Sequence, residues 1–322
     1  MQKLQMTTQT GNNVAVCAIR GNFDDAQTGV KNIFANSGMR DFLHSKKMEF
    51  SSANSINFGR LVPQIVYYVS AYCDLLKEGK IKPGESFNVA VPTGNFGNIL
   101  AAVYAKRMGI PIGKFICASN RNNVLTDFIR TGVYDRNRPF HTTTSPSMDI
   151  LISSNLERML YELYDHDADA VRGLMDQLRD TGVYRVSQPV LDKLGKEFYG
   201  GFCDDKATAE TIDSMFKHHH YLCDTHTAVA VNVYEQYVRE SGDRTPCVVA
   251  STASPYKFAA AVLGAVYDGP MPADEFGMVE KLSEVTGTPI PAPLADLKTR
   301  SVLHRSCVEK QDMSGFIRDF LG

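Results

Sequence analysis

The feature that most constrains the fold is a strand, a glycine-containing loop, a helix and a second strand in direct succession. Residues 87–91 are a short apolar run, PTGNFGN follows as a loop, residues 99–108 have helical character, and residues 114–118 are apolar again. Gly109, with Pro111 beyond it, ends the helix. Strands joined by a helix run parallel, with a right-handed crossover. The sequence therefore predicts an α/β protein with an open, mostly parallel sheet flanked by helices.

Similar units are predicted before and after this crossover. A buried strand is expected at residues 14–19, a turn at Gly21-Asn22 and a helix at residues 24–34, with Asn22 or Asp24 as its cap. A long helix is predicted at residues 61–76, and a last helix, strand and helix at residues 225–240, 247–251 and 258–266. Residues 165–180 are charged and amphipathic, as on a solvated surface, and the proline-rich tail at 288–300 is expected to cross the outside.

Composition excludes several classes of function. The chain has 322 residues and a formal net charge of -2, so no global field attracts nucleic acid or an anionic membrane. No apolar run is long enough to span a bilayer. The seven cysteines include no CxxC pair, which argues against a disulfide framework or a structural zinc site and favours a cytoplasmic location.

The remaining cysteines and histidines give no sign of a metal site. Three consecutive histidines at 218–220 point in different directions on a helix or loop, so we expect them at the surface. Cys117, Cys223 and Cys247 lie in or beside apolar segments and are expected to be buried, inert thiols.

Ligands of open α/β sheets bind where strands end, and residues 93–98 follow the first strand of the central crossover. Gly94 and Gly97 allow the backbone to approach an anion, and the following helix directs its positive end there. The loop matches neither the Walker pattern nor the dinucleotide fingerprint. A phosphate cradle and an ordinary strand-to-helix turn both remain open for these residues alone.

Two other segments carry similar potential. Residues 251–254 stand at the end of the last predicted strand, where a hydroxyl either bonds a heterocyclic nitrogen of a cofactor or caps a helix. Residues 54–60 place Asn54, Asn57 and Arg60 at the mouth of a helix, and arginine suits bidentate recognition of phosphate or carboxylate. The three segments together predict a site for two anions and a ring nitrogen.

These motifs resemble threonine synthase, a pyridoxal-phosphate (PLP) enzyme with the tryptophan synthase β-like fold. The matching text includes QMTTQTGNNVAVCAIRGNFDDAQTGVK, ANSINFGRLVPQIVYY, VPTGNFGNILAA, SPSMDILISSNLER, DTHTAVA and STASPYKF, which together extend over nearly the whole chain. The resemblance implies conversion of O-phospho-L-homoserine and water to L-threonine and phosphate, with PLP between two α/β domains. It also implies a smaller mobile domain of which residues 1–50 are a residual part, and a large PLP-binding domain with a C-terminal extension at residues 51–322.

The same resemblance implies roles for individual residues. Asn54 and Arg60 would hold the substrate phosphate, and Thr252 would bond the pyridine nitrogen of PLP. His226, in the segment DTHTAVA, is expected to cap or pack near the active face. The PLP phosphate would lie on Gly94, Asn95, Phe96, Gly97 and Asn98.

The sequence departs from the family in one respect. The family's Schiff-base lysine in an FKD-type motif and its SGDTG loop precede the QMTT segment, at which this chain begins, so we expect an N-terminally truncated chain with no catalytic lysine. Lys257 corresponds to a family position of its own, and the SGDR segment at 241–244 is expected to be a surface turn. One half of a split enzyme, completed by an N-terminal polypeptide, and a non-catalytic PLP- or phosphate-binding scaffold remain alternatives.

Overall fold

The structure is a computed structural model that describes residues 1–21, 23–55 and 57–322. The strands are β1 (Cys17–Arg20), β2 (Phe87–Pro92), β3 (Ile112–Ser119), β4 (Val133–Asp135), β5 (Val183–Arg185), β6 (Phe198–Phe202), β7 (Cys247–Val249) and β8 (Ser306–Glu309). The helices are α1 (Gln2–Thr7), α2 (Phe23–Ala35), α3 (Ser37–Ser45), α4 (Phe58–Leu61), α5 (Ile65–Lys77), α6 (Gly97–Arg107), α7 (Val124–Thr131), α8 (Leu156–Leu163), α9 (Ala168–Thr181), α10 (Gln188–Glu197), α11 (Asp205–His219), α12 (Thr225–Ser241), α13 (Ala259–Val266), α14 (Glu275–Thr286), α15 (Ala292–Ala295) and α16 (Met313–Leu321). Single 3-10 turns occur at Val62–Gln64, Pro146–Met148, Pro255–Phe258 and Lys310–Asp312.

The centre of the molecule is a four-stranded parallel sheet in the order β6-β3-β2-β7. Strand β1 pairs in parallel with β8, and β4 pairs antiparallel with β5. The predicted α/β class with a mostly parallel sheet is therefore confirmed. The crossover from β2 through α6 to β3 is also confirmed, with each element within two residues of its predicted bounds.

Helices cover both faces of the central sheet. Val89 and Val91 of β2 belong to a large apolar cluster with α6 and α7, whereas Ala90 belongs to a cluster with Val229 and Val233 of α12. Alternate residues of β2 thus enter different cores, as the period of two in a strand requires. A sheet covered on both faces explains why every residue of β2 is buried and why all of them except Asn88 are apolar.

The first predicted strand is shorter and less buried than expected. It begins at Cys17, and its residues alternate between half-buried and exposed. Helix α2 confirms the predicted helix, but Asp24 lies within it and is not its cap; Asn22, the other predicted cap, lies outside the described residues. The pairing of β1 with β8 shows that the end of the chain folds back onto its beginning.

The predicted long helix is interrupted near its start. Pro63 lies in a 3-10 turn that separates α4 from α5, since proline has no N–H group to donate within a helix. The helix was predicted from six apolar positions at helical spacing, of which four are half-buried and two, Val66 and Cys73, are exposed, whereas Tyr68 is only 3% exposed. Ile65, Tyr72 and Leu76 pack against the same core as Tyr68, so the buried face of α5 is centred on Tyr68.

The last predicted unit is confirmed, with changes at its boundaries. Helix α12 covers residues 225–241, but β7 ends at Val249, and α13 is preceded by the turn Pro255–Phe258. The tail does not merely cross the outside: Leu294 and Leu297 are 6% and 1% exposed and pack with Val262 and Leu282. The charged segment forms α9, which buries Val171 and exposes its ion pairs, as predicted.

Asp243 is more than part of a surface turn. Its carboxylate accepts hydrogen bonds from the hydroxyl of Tyr237 at 2.6 Å, from the Nδ2 atom of Asn88 at 2.9 Å and from the N–H group of Thr245 at 2.9 Å. These bonds, that of Tyr237 foremost, hold the pKa of Asp243 well below its usual range. The prediction of a plain surface turn is therefore wrong at Asp243, which fastens the end of α12 to β2.

The C-terminal elements pack beside the N-terminal ones. Lys310 forms an ion pair with Asp25 at 3.2 Å, and the Arg318 guanidinium lies 4.7 Å from the centre of the Phe42 ring. The division of the chain at residue 50 remains a prediction. None of the helices in the described ranges combines the length and the apolarity that a membrane crossing requires.

Candidate functional site

The glycine loop, residues 93–98, leaves the end of β2 and leads into α6. A Cβ atom on Gly94 would lie 2.6 Å from the carbonyl oxygen of Ser147, and one on Gly97 would lie 2.9 Å from the side chain of Ser55. Both distances are too short for a real contact, so glycine is required by close packing at each position. The loop therefore lies directly against two other segments of the chain.

Phe96 fixes the shape of this loop. It has a left-handed backbone with φ of 60°, a conformation that costs a residue other than glycine roughly 1 kcal/mol or more. Its ring is 1% exposed, and its centre lies 5.9 Å from that of Phe198. Burial of a large aromatic side chain stabilises the fold by about 2 kcal/mol, enough to hold the strained turn.

Helix α6 begins at this turn without a side-chain cap among the described residues. The first N–H groups of a helix have no partner within the helix and lie at the positive end of its dipole. At the end of a parallel strand, such a terminus is suited to bind a phosphate. The arrangement thus fits the group that the resemblance implied, on grounds of geometry alone.

Residues 153–155 hold the carbonyl side of the loop. The hydroxyl of Ser153 donates to the carbonyl oxygen of Gly94 at 2.7 Å. Asn155 donates to the carbonyl oxygen of Asn95 twice, from its N–H group at 3.1 Å and from Nδ2 at 2.9 Å. The carbonyl oxygens of Gly94 and Asn95 therefore both accept hydrogen bonds from other parts of the protein, which fixes the orientation of these two peptide units.

The segment with Asn54 and Arg60 lies beside the loop. Ser55, next to Asn54, accepts a hydrogen bond at its Oγ atom from Nδ2 of Asn155 at 3.0 Å and touches Gly97. Asn54 and Arg60 are both exposed, and Arg60 lies in α4, which Asn57 caps. The structure thus brings the two predicted anion-binding segments together through Ser55.

Asn98, the last residue of the predicted cradle, is oriented by a tyrosine. The hydroxyl of the buried Tyr68 donates to Oδ1 of Asn98. Burial raises the pKa of Tyr68 well above its usual range, so the phenol keeps its proton. Because Oδ1 is occupied as an acceptor, the Nδ2 atom of Asn98 is the side-chain atom left to donate to a ligand.

Thr252 lies at the same edge of the sheet. The N–H group of Ala250 donates to the carbonyl oxygen of Ala90 at 2.9 Å, which keeps the chain beside β2 just after β7. Thr252 follows two residues later and is exposed. Ser254 takes the alternative role considered for this segment, since its Oγ atom accepts from the N–H group of Tyr256 at 3.3 Å.

His226 links the two sides of this edge. Its Nε2 atom accepts from the N–H group of Ser147 at 3.3 Å, so the imidazole proton lies on Nδ1, which donates to Oδ1 of Asp224 at 3.1 Å. Burial raises the pKa of Asp224, but hydrogen bonds from His226 and Thr227 outweigh it and the pKa is lowered. Asp224 is the cap of α12, so of the two expectations for His226 the structure supports packing at this edge and not capping.

Ser119 adds an unsatisfied group at the end of β3. Its side chain is 1% exposed, and its Oγ atom has no hydrogen-bond partner among the described residues. A buried hydroxyl without a partner costs about 1–3 kcal/mol, so such groups mark places where a water or a ligand fits. Ser119 lies near the glycine loop, because the N–H group of Thr93 donates to the carbonyl oxygen of its neighbour Ala118 at 2.8 Å.

Two other expectations concern lysine and metal. Lys257 is exposed, with its Nζ atom 5.6 Å from the centre of the Phe258 ring, in the turn before α13. The histidines at 218–220 are exposed, and the described part of the chain has no group of three metal-ligating side chains. Cys117 and Cys223 are buried as predicted, whereas Cys247 is only half-buried.

Sequence reasoning missed three residues that shape this site: Tyr68, Ser153 and Asn155. Their segments were part of the matching text, but hydrogen bonds across 30 to 60 positions leave no periodic signal in a sequence. A polar residue at the start of an apolar helix was the one available hint for Asn155, which is 0% exposed.

Comparison with known proteins supports the resemblance. The family model "Threonine synthase, C-terminal" matches residues 227–305. A curated relative, threonine synthase-like 1 of Macaca fascicularis, is 45% identical over 267 residues, which are 82% of this chain and 36% of the relative. The threonine synthase of Pseudomonas aeruginosa is 38% identical over 262 residues, 81% of this chain and 53% of the relative.

A solved structure has the same fold along almost the whole chain. The PLP-bound threonine synthase of Brucella melitensis superposes with a TM-score of 0.83 and 37% sequence identity, covering 99% of this chain and 62% of that one. The predicted fold class and the resemblance are therefore confirmed. The chain spans about a third to a half of the length of the two curated relatives described.

Proposed function

Because the chain is similar to threonine synthases along nearly its whole length, we propose that it forms the cofactor- and substrate-phosphate-binding part of a PLP-dependent threonine synthase. The reaction is conversion of O-phospho-L-homoserine and water to L-threonine and phosphate. One observation carries the proposal: the uncapped glycine loop and the segment with Arg60 lie in contact through Ser55 and Gly97. A phosphorylated cofactor and a phosphorylated substrate need two neighbouring anion sites of this kind.

Each candidate residue has a role in this proposal. The N–H groups of the loop, with Nδ2 of Asn98, bind the cofactor phosphate, and Thr252 donates a neutral hydrogen bond to the pyridine nitrogen. Asn54 and Arg60 hold the substrate phosphate, and Arg60 stabilises its charge as it leaves. Bound PLP supplies an electron sink for carbanion chemistry.

A lysine that holds PLP covalently and moves protons belongs to the FKD motif, which this sequence lacks. We therefore expect the chain alone to bind PLP reversibly and to turn over no substrate. Reduction with borohydride, followed by peptide mapping, tests this point. Stoichiometric pyridoxyl label on Lys257 would overturn it, and absence of label with saturable PLP binding is the expected result.

The substrate phosphate site is tested with Arg60→Ala. Loss of a charge-assisted bidentate contact costs about 1.5–3 kcal/mol, so the dissociation constant of O-phospho-L-homoserine is expected to rise about 10- to 100-fold. Arg239→Ala is the matched control, because Arg239 is also exposed but lies in the last turn of α12, whose first turn faces the site. An equal effect of both substitutions would contradict the assignment of Arg60.

A non-catalytic PLP-binding protein is the second candidate. It is favoured by the 45% identity to a relative named only threonine synthase-like 1. Phosphate release from O-phospho-L-homoserine distinguishes the two, measured for this chain mixed with an N-terminal polypeptide that carries the FKD motif. Turnover in the mixture supports the enzyme, and PLP binding without turnover supports the second candidate.

A further inference from the structure

Asn155 connects the glycine loop to the Arg60 segment through one buried side chain. Its Nδ2 atom donates to the carbonyl oxygen of Asn95 at 2.9 Å and to the Oγ atom of Ser55 at 3.0 Å. Its Oδ1 atom accepts from Nη1 of Arg158, which also donates to the carbonyl oxygen of Ser55 at 3.3 Å. Both N–H groups and the oxygen of the carboxamide side chain are thus used in joining these segments.

The chemistry of the site explains why a carboxamide is needed. The side chain must donate two hydrogen bonds on one side and accept one on the other. An aspartate has the same shape but cannot donate when ionised, and it would face the carbonyl oxygen of Asn95. The helix that begins with Leu156 holds the backbone of Asn155 in place, and Asn155 itself is 0% exposed.

Steric contact reinforces the connection. Ser55 lies so close to Gly97 that a single added carbon atom would meet it at 2.9 Å. Closely packed groups move together, because cores deform little. A displacement of Ser55 therefore changes the loop, and a displacement of the loop changes the segment that carries Asn54 and Arg60.

We propose that Asn155 is a positioning residue that sets the distance between the cofactor-phosphate cradle and the substrate-phosphate segment. The inference rests on the proposed function, because it takes these two segments as the sites of the two phosphates. Asn155 touches neither ligand in this proposal. It acts through Asn95 on one side and through Ser55 on the other.

The test uses two probes that report on the sites separately. The probe for the cradle is 4-deoxypyridoxine 5′-phosphate, which has no aldehyde and forms no imine. The probe for the segment is O-phospho-L-homoserine. Calorimetric titration of the whole chain gives the dissociation constant of each ligand.

Three variants separate the two sides of the connection. Ser153→Ala removes a bond to the loop only and is expected to weaken the cofactor analogue about threefold, and Ser55→Ala removes a bond on the segment side and is expected to weaken the phosphoester about threefold. Asn155→Asp removes both donors and is expected to weaken both ligands about tenfold or more. If Asn155→Asp weakens only one ligand, the inference is wrong.

A control variant that loses as much stability as Asn155→Asp tests whether Asn155 has only a structural role. Met159 is fully buried in the same helix, α8, and Met159→Ala is expected to lower the urea midpoint at least as much as Asn155→Asp while leaving both dissociation constants within about twofold of wild type. Equal loss of ligand affinity in Met159→Ala would overturn the inference. Failure of the wild-type chain to bind either ligand would instead refute the proposed function.

A second route keeps the test independent of the folding of Asn155→Asp. Gly97→Ala places a methyl group against Ser55 without removing any hydrogen-bonding side chain, and it is expected to weaken the phosphoester as well as the cofactor analogue. Adding Ser55→Gly removes the two atoms that lie 2.9 Å from the methyl group and leaves Nδ2 of Asn155 at 3.4 Å, so the double variant is expected to regain cofactor-analogue binding. No effect of Gly97→Ala on the phosphoester would contradict the connection between the segments.

Discussion

Gly94→Ala tests whether the glycine loop is fixed by packing. The new Cβ atom would lie 2.6 Å from the carbonyl oxygen of Ser147 and 3.4 Å from Cα of Met148. This backbone is itself held, because the N–H group of Ser147 donates to His226 at 3.3 Å and that of Met148 donates to the carbonyl oxygen of Ser145 at 3.0 Å. The neighbour cannot move aside without losing one of these bonds.

The expected cost follows from these contacts. Gly94 does not have a positive φ, so an alanine meets no conformational penalty there and the cost is steric. Overpacking by one carbon atom costs about 1–3 kcal/mol, and loss of the bond to His226 would add about 1 kcal/mol. We therefore expect Gly94→Ala to lower the free energy of unfolding by about 1–4 kcal/mol.

Urea denaturation followed by circular dichroism gives this free energy. Gly173→Ala is the matched control, because Gly173 lies inside α9 with open space at its Cβ position, and it is expected to stabilise the protein by about 0.5–1 kcal/mol. Opposite signs for the two substitutions support the packing argument. A Gly94→Ala variant as stable as the wild type, with unchanged binding of 4-deoxypyridoxine 5′-phosphate, would refute it.

Three further predictions concern acid stability, thiol reactivity and the orientation of a side chain. The hydrogen bonds that lower the pKa of Asp243 stabilise the fold at pH values above the unfolded pKa of about 3.9. This contribution to stability is lost as the pH falls through the folded pKa. Asp243→Asn should therefore lower stability at pH 7 and flatten its acid dependence in urea titrations; an unchanged slope would contradict this. Burial raises the pKa of Cys117 to about 12, whereas Cys73 is exposed. Iodoacetamide should therefore alkylate Cys73 in the native protein and Cys117 only after unfolding. Equal labelling of both thiols in the native protein would contradict this. Tyr68→Phe frees Oδ1 of Asn98 and should weaken binding of 4-deoxypyridoxine 5′-phosphate about threefold or more. An unchanged dissociation constant in calorimetry would contradict this prediction.

The fold could be predicted best where the local pattern and the tertiary environment agree. Strand β2 is apolar except at Asn88 because helices cover both of its faces, and α6 ends just before Gly109 because that glycine has a positive φ. Both features depend on residues close in sequence. For this reason the central crossover was predicted to within two residues at each boundary.

Prediction failed where distant parts of the chain compete for the same residues. Strand β1 exists because β8, almost 290 positions later, pairs with it at Cys17 and not earlier. Leu294 and Leu297 sit in a proline-rich tail, yet they are buried because α13 and α14 leave an apolar surface beneath them. No periodicity within a short window carries information of this kind.

The candidate site divides in the same way. The residue types that suit phosphate, two glycines before a helix and an arginine at a helix mouth, stand in short segments that the sequence displays directly. The sequence does not display the meeting of those segments, because that meeting depends on the hydrogen bonds of Asn155 to Asn95 and Ser55 across 60 and 100 positions. The sequence by itself thus determined the α/β class, the crossover from β2 to β3 and the chemistry of each segment, through local backbone preferences and runs of apolar residues; it gave neither β6 nor the order of the strands. Only the tertiary structure decided which segments touch, because close packing and buried hydrogen bonds form between residues whose separation along the chain carries no pattern.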